Sequence, residues 1–520
     1  MTNNTTERVY IKLILKTKSP FSVCSGMDEF SDKDIIKRGG EPFIPGSTLA
    51  GIFRNYIETN NISISGKDKD DIIKEFFGYI KRGNTKEEHK ARQSTIYFGD
   101  AVLVENENNC SESSTSNAEN QKKKSEPKFI ISFRDGVKLD DRKTAINTGK
   151  YNYEIIEQGA KFETIIEYCG DSVDAEVFKG IIKQVATAIN SGELRIGSKT
   201  SRGLGYMGAQ YYSKTFTKEK VEEWLDFDPY SEDKWEEEEL ATDINFYGIE
   251  ADIKIPDTLM IRDYNVDPNM IFDSSSEQDV NSDSTCNSSI MSENNCDKDA
   301  VKSYPNIEKL DYGQLCSSNK YPVIPGTTWA GAFRHRSELI LEEILYSMSP
   351  NDIGVDVISD KDKVERVIKE KVNRILNIAF GPSENLQKVN ASNDEKNDEK
   401  FCKSNLSFFE SEIENGTIIP ITRTKIDRFT GGSMHGSLFT ENVCCGGKTT
   451  LKIGINRNCD KKKAVLGLIF LCLDDLGEGL LAIGGETAVG RGIMEVKIKD
   501  NNDFIREECI KSLAEELRKK

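Results

Sequence analysis

Two segments whose residues suit phosphate binding each occur twice in the chain. Pro42-Phe-Ile-Pro-Gly-Ser-Thr-Leu-Ala-Gly-Ile-Phe-Arg54 returns 280 residues later as Pro322-Val-Ile-Pro-Gly-Thr-Thr-Trp-Ala-Gly-Ala-Phe-Arg334, with nine of thirteen positions identical. In each copy a Pro-Gly turn leads into a hydroxyl pair: Gly46, Ser47 and Thr48, then Gly326, Thr327 and Thr328. Glycine tolerates positive φ, and the proline before it pre-sets the bend. A Ser or Thr at this place predicts an N-capped helix, whose free N–H groups and positive dipole end attract an anion. Arg54 and Arg334 follow down each helix, in reach of a phosphate. One such segment alone reads as a capped helix; two diverged copies with the same pattern point to backbone-phosphate contact.

The second pair is Gly192-Glu-Leu-Arg-Ile-Gly-Ser-Lys-Thr-Ser-Arg-Gly-Leu-Gly-Tyr-Met207 and Gly479-Leu-Leu-Ala-Ile-Gly-Gly-Glu-Thr-Ala-Val-Gly-Arg-Gly-Ile-Met494, eight of sixteen identical at an offset of 287. Gly197, Gly203 and Gly205, like Gly484, Gly485, Gly490 and Gly492, let main chain approach a ligand closely, while Lys199, Arg202 and Arg491 add positive charge. The order matches neither a P-loop nor a dinucleotide fingerprint, so no nucleotide cofactor is expected.

Two motif pairs in the same order at nearly the same offset imply a duplicated domain. The expected limits are 1–213 and 245–520, joined by an acidic linker at 214–244. In the first copy a strand spans Val9 to Lys16, with Val9, Ile11, Leu13 and Leu15 alternating against Tyr10, Lys12, Ile14 and Lys16, a period of two with Ile14 the exception. The cap helix then carries Leu49, Ile52, Phe53, Tyr56 and Ile57 at helical spacing. Strands follow at Phe129 to Phe133 and Ala160 to Glu167, then a helix holding Val185 to Ile189. Strands at Leu194 to Ile196 and Tyr206 to Tyr211 flank the Gly loop. This is the order of a split βαβ, ferredoxin-like unit. The second copy repeats it: a strand at Phe246 to Ile253, helices at Trp329 to Leu341 and Ala464 to Asp474, and a closing strand at Ile493 to Ile498. Polar runs at 105–128, 267–303 and 384–403 are expected to be disordered insertions. The linker Lys218 to Leu240 reads as helix-like, with Trp224 and Trp235 packing it onto a neighbour, and Trp329 reads as core.

The net charge of −17 is concentrated. Residues 214–243 hold four Lys against twelve Asp or Glu, and 267–300 hold one Lys against eight, which gives −8 and −7 of the total. The remainder is near neutral and leaves room for local basic grooves. The twelve cysteines are scattered without a C-x-x-C, and His89, His335 and His435 are the only imidazoles. Reduced, mostly buried thiols are expected, with no zinc. No window has the apolar length of a membrane span and the start has no signal-peptide pattern, so a cytoplasmic protein without a membrane partner is expected.

The motif set resembles the RAMP superfamily of CRISPR-associated proteins, and most closely the backbone subunits of type III effector complexes. Members carry an "IPGSSLKG" segment after the first strand, which Ile44-Pro-Gly-Ser-Thr-Leu-Ala-Gly51 and Ile324-Pro-Gly-Thr-Thr-Trp-Ala-Gly331 match. Their "IDR-x-TG" stretch near the thumb hairpin is matched by Ile426-Asp-Arg-Phe-Thr-Gly-Gly432, and more weakly by Leu139-Asp-Asp-Arg-Lys-Thr144. The resemblance implies an α+β chain of two tandem ferredoxin-like, RRM-related domains with thumbs. It also implies guide and target RNA held by backbone contacts, and assembly beside other effector subunits. In several members an Asp before the turn supports cleavage of target RNA by its own 2′-hydroxyl, with a divalent cation such as Mg. The corresponding residues are Asp32, with Asp28 and Asp34 as alternatives, and Asp311, with Asp263 as alternative. A non-catalytic structural subunit, a guide-processing endonuclease with a His-based site, and a metabolic α+β enzyme with phosphate loops remain the other readings.

Overall fold

The computed structural model describes residues 6–26, 31–60, 62, 68–81, 90–104, 131–139, 145–231, 235–241, 247–263, 310–349, 361–382, 403–500 and 503–519. The three expected insertions fall almost wholly outside them, as do Asp28, His89 and most of the weaker thumb motif. The chain forms a mixed α/β structure of antiparallel sheets and helices.

Four strands recur in both repeats with one order. In the first, strand Thr6–Thr17 lies between Lys161–Asp171 and Met207–Phe216, and Ile96–Phe98 pairs with Lys161–Asp171 on its far side. In the second, Gly248–Lys254 lies between Lys448–Ile455 and Glu495–Ile498, and Leu406–Phe408 pairs with Lys448–Ile455. All pairs are antiparallel. Alternation makes one face of each sheet apolar. Val9, Ile11, Leu13 and Leu15 are fully buried, as Ile249, Ala251 and Ile253 nearly are. Two helices cover that face in each repeat: Gly46–Thr59 and Ser172–Ser191, then Gly326–Ser347 and Lys462–Gly477. The cap helix buries Leu49, Phe53 and Ile57, spaced by four; its counterpart buries Trp329, Phe333 and Ile340, with Trp329 in the core as expected. A long hairpin stands off each repeat: Ile131–Leu139 with Ala145–Ile156, and Thr417–Ile426 with Ser433–Cys445.

Three expectations need correction. The cap helices begin at the glycine itself, with Pro45 and Pro325 at the N-cap and no side-chain cap bond. Ser47 and Thr48 therefore lie inside the first turn, and the Thr48 and Leu49 N–H groups donate to the Pro45 carbonyl at 2.9 and 3.2 Å. Leu194 to Ile196 is irregular rather than a strand, because it turns to enter the Gly loop. The linker is mostly not helical: a short helix at Val221–Leu225 gives way to a strand, Glu236–Glu238, that pairs with Met207–Phe216. Trp224 and Trp235 pack it onto the first repeat's own sheet, where tertiary contact overrides local propensity. The described cysteines are all free thiols, and Cys24 is exposed. Among the described residues no helix is long and apolar enough to cross a membrane.

The Gly loops follow the same path in both repeats. Gly197, Gly203 and Gly205 have φ of 97, 98 and 77°; Gly484, Gly490 and Gly492 have 92, 91 and 77°. Each loop holds a three-residue 3-10 turn, Thr200–Arg202 or Thr487–Val489. A Cβ on Gly205 would sit 2.0 Å from the Ile196 carbonyl oxygen, and one on Gly492 1.9 Å from that of Ile483. Gly205→Ala or Gly492→Ala should each cost at least about 2 kcal/mol, read as a lower denaturation midpoint; an unchanged midpoint would refute the close approach.

Candidate RNA interface and Asp sites

The two Asp loops meet the two thumbs in the same way. The Asp32 N–H donates to Asn152 Oδ1 at 2.9 Å, and Asp32 Oδ2 accepts the Asn152 N–H at 2.8 Å. In the second repeat the Asp311 N–H donates to the Thr440 carbonyl at 2.9 Å, and Asp311 Oδ2 accepts the Thr440 N–H at 2.9 Å. One residue on, the Lys33 carbonyl accepts the Glu154 N–H at 3.1 Å and the Tyr312 carbonyl accepts the Asn442 N–H at 3.0 Å. Each carboxylate is thus pinned through one oxygen to the second thumb strand, and both residues are exposed. The alternatives sit differently. Asp34 is buried and accepts the Ser31 N–H and hydroxyl at 2.8 and 2.7 Å, which closes its own turn. Asp263 lies in a two-residue strand against Gly313–Gln314.

The Gly loops pass beside the same thumb strands with opposite charge. Lys199 and Glu486 occupy equivalent positions, and both are non-glycine residues in the left-handed region, at φ 52 and 58°. The Lys199 ammonium lies 3.2 Å from the Tyr153 ring centre and 4.5 Å from that of Tyr151, and donates to the Tyr151 hydroxyl at 3.3 Å. Burial, with Lys33 and Arg202 nearby, pushes its pKa down to about 7. Glu486 instead accepts from Arg262 at 2.9 Å and from Arg423, and pairs with Arg491 at 3.2 Å. Fully buried Glu441 pairs with Arg423 and with Arg491, the latter at 2.6 Å. The Arg491 side chain is therefore enclosed in an ion cluster, while Arg202 is exposed.

The other predicted cations are placed apart from the turns. Arg54 pairs with Glu58 at 2.8 Å, and Arg334 donates to the Gly381 carbonyl at 2.8 Å, closing the end of helix Lys361–Phe380. The Gly46 N–H donates to Asp100 at 2.8 Å, and Asp100 pairs with Arg38 at 2.9 Å, so part of the first helix mouth is satisfied internally. Ser47 and the open Gly51 stay on the exposed side of the helix, as does Gly331 of the second; Thr327 and Thr328 are half-buried.

What sequence spacing could not give is the partner of each Gly loop. The first repeat's loop packs on the second repeat's Pro-Gly turn: a Cβ on Gly326 would lie 2.6 Å from the Arg202 carbonyl oxygen. Arg195, buried, donates to the Thr200 carbonyl at 2.9 Å and lies 3.7 Å over the Phe409 ring; burial pushes its pKa down to about 9. Tyr206 meets Phe409 edge-on at 5.6 Å, and Glu193 accepts from Arg457 at 3.3 Å. Arg134, on the first thumb, lies between Glu157 at 3.5 Å and Glu410 at 3.6 Å; burial pushes Glu410 up to about 7. No motif or spacing in the sequence marks Arg195, Arg134 or Glu410 for these contacts, whereas Lys199 stands out as a cation of its Gly loop.

The thumb motif forms the tip of the second hairpin. Asp427 Oδ1 accepts the Phe429 and Thr430 N–H groups at 2.7 and 2.8 Å, and Phe429 is completely exposed. His435 is exposed on the adjoining strand, and His335 sits on the second cap helix. Among the described residues no three His, Cys, Asp or Glu side chains converge as a metal-ligating group. A single exposed carboxylate still fits a cation that takes its remaining ligands from water and an RNA phosphate.

The model of the RAMP superfamily matches residues 15–207 and 297–495, which contain both cap turns, both Gly loops and both Asp sites. No curated protein matches the sequence.

Proposed function

Because the chain belongs to the RAMP superfamily, we propose that it is a double backbone subunit of a type III CRISPR effector complex, which holds guide RNA along both repeats and cuts target RNA at Asp32 and Asp311. Each repeat is read as a ferredoxin-like, RRM-related unit; the shared strand order, with the last strand beside the first and the first beside the third, supports that. The observation that carries the function is the equivalence of the two pinned, exposed carboxylates, 120 and 129 residues away in sequence from the thumb residues that hold them. A divalent cation bound there would supply charge to offset that of the scissile phosphate. The chain's own part is to aim the carboxylate: the thumb N–H fixes one oxygen and leaves the group directed to solvent, where the RNA 2′-hydroxyl would lie. Exposed Arg202 and the half-buried Lys199 give the first loop a positive edge for a sugar-phosphate strand.

Assembly beside sister subunits has its own support. Leu480, Val489 and Ile493 are 60, 62 and 44% exposed. Their first-repeat counterparts, by the 287-residue offset, are Glu193, Arg202 and Tyr206, all of which touch the second repeat. The second repeat thus exposes apolar groups where the first makes its inter-repeat contacts. Changing all three to Asp should release the protein from its complex while it stays folded. The test is co-purification from the native host followed by sequencing of the bound RNA. Recovery of CRISPR guide RNA and companion subunits with the unaltered chain, and their loss with the triple variant, is expected. Recovery of neither with the unaltered chain would overturn the function.

A further inference from the structure

The linker does more than join the repeats. The outward face of the first sheet carries Tyr10, Lys12 and Arg8 on its central strand, beside Phe216, Lys214 and Tyr212 on the next. Rings interleaved with cations on an open antiparallel sheet make a platform on which single-stranded RNA stacks its bases. In the second repeat the equivalent face carries Glu250, Asp252, Lys254, Lys452, Glu495 and Lys497, with no ring among them, and is laced by pairs such as Lys254–Glu495 at 2.9 Å and Lys452–Glu250 at 3.2 Å.

Among the described residues only the ring-bearing face is covered by the linker. Phe227 lies 5.3 Å from Tyr10 and 5.0 Å from Phe216, and Trp235 lies 5.5 Å from Phe227. Trp224 donates to the Tyr10 hydroxyl at 3.0 Å, with the Arg8 guanidinium 4.4 Å above its ring. Lys12 lies 5.3 Å over Trp235, and Lys214 pairs with Glu236 at 3.7 Å. Beyond the face, Glu238 pairs with Lys183 at 2.8 Å. The segment that does this has aromatic rings spaced along a polyanionic chain, the chemical outline of a single-stranded polynucleotide.

We propose that the linker is a built-in occupant of a single-stranded-RNA platform on the first repeat, keeping RNA off that sheet until the linker is displaced. Arg8 and Lys12 also pair with Glu167 and Glu163, at 2.6 and 3.7 Å, so the uncovered face is only weakly cationic and stacking supplies most of its affinity. RNA is the ligand here as in the proposed function, but crosslinks at Lys199 and Arg202 report that reading separately.

The test uses the full chain, an oligouridylate probe and ultraviolet crosslinking read by mass spectrometry. A variant with Trp224→Ser, Phe227→Ser and Trp235→Ser should gain crosslinks within 8–14 and 210–216 and bind the probe about tenfold more tightly. Adding Tyr10→Ala and Phe216→Ala should remove both gains. Should the triple variant fail to fold, amide exchange in the unaltered protein gives the answer: saturating oligouridylate should speed exchange at 236–238 as the linker strand is displaced. Crosslinks confined to the Gly loop in a folded triple variant, or unchanged exchange at 236–238, would overturn the proposal. Crosslinks at neither place would instead sink the RNA-binding function.

Discussion

Substituting Asp32 and Asp311 together with asparagine should abolish target-RNA cleavage by the assembled complex and leave RNA binding intact. Asparagine keeps the shape of the side chain, and its amide oxygen still accepts the Asn152 or Thr440 N–H that pins the residue. What it loses is the negative charge and the ability to take a proton or steady a cation. Groups used in this way contribute roughly 10²–10⁴-fold to rate. Each single variant should lose one cut and keep the other, because the two sites are separate and pinned alike. The measurement is single-turnover cleavage of end-labelled target, with product lengths resolved. Cutting at the same positions and rate in the double variant would leave the structural role alone standing.

A second large effect concerns pH. Lys199 is half-buried on Tyr151 and Tyr153, which brings its pKa to about 7 in the free protein. A phosphate at that site would return it towards the ordinary lysine value of about 10.4. Binding then takes up a proton above pH 7, and the affinity contributed by this residue falls up to about tenfold per pH unit between 7 and 9. Below pH 7 the free side chain is already charged and the dependence vanishes. Lys199→Arg should flatten the profile at high affinity; Lys199→Ala should flatten it at low affinity and reduce the salt slope by about one. Fluorescence titration of guide RNA at fixed ionic strength reads all three. Equal slopes in the unaltered protein and Lys199→Arg would exclude Lys199 as the group responsible. For folding the sign is opposite: the unfolded chain holds more protons on this residue between about pH 7 and 10, so stability rises with pH across that window.

Glu486 takes the same loop position with the opposite sign, and its carboxylate is already clamped by Arg423 and Arg491. No comparable pH dependence of RNA binding should therefore arise in the second repeat. The two loops have kept one backbone path and diverged in charge at several positions, Lys199 against Glu486 and Arg202 against Val489 among them.

Much of the molecule was legible in the sequence. Alternation over Val9 to Leu15 and four-residue spacing over Leu49, Phe53 and Ile57 are local patterns, and burial follows them directly. The glycines of both loops announce left-handed backbone because no other residue adopts it so cheaply. Duplication is equally a matter of order and spacing along the chain, whereas the thumb motif and the two Asp positions were pointed to by the family resemblance. Ser47 matches a cap by residue type, yet the N-cap is Pro45, two residues earlier, and the helix starts at Gly46. What only the tertiary structure decided lies between residues far apart in sequence. Asp32 meets Asn152, the Gly203 loop meets Gly326, and the acidic linker turns back onto Tyr10 rather than onward to a neighbour. Periodicity encodes which face of an element is apolar, but hydrogen-bond and charge partners carry no period, so their choice emerges only when the packed elements bring them within reach.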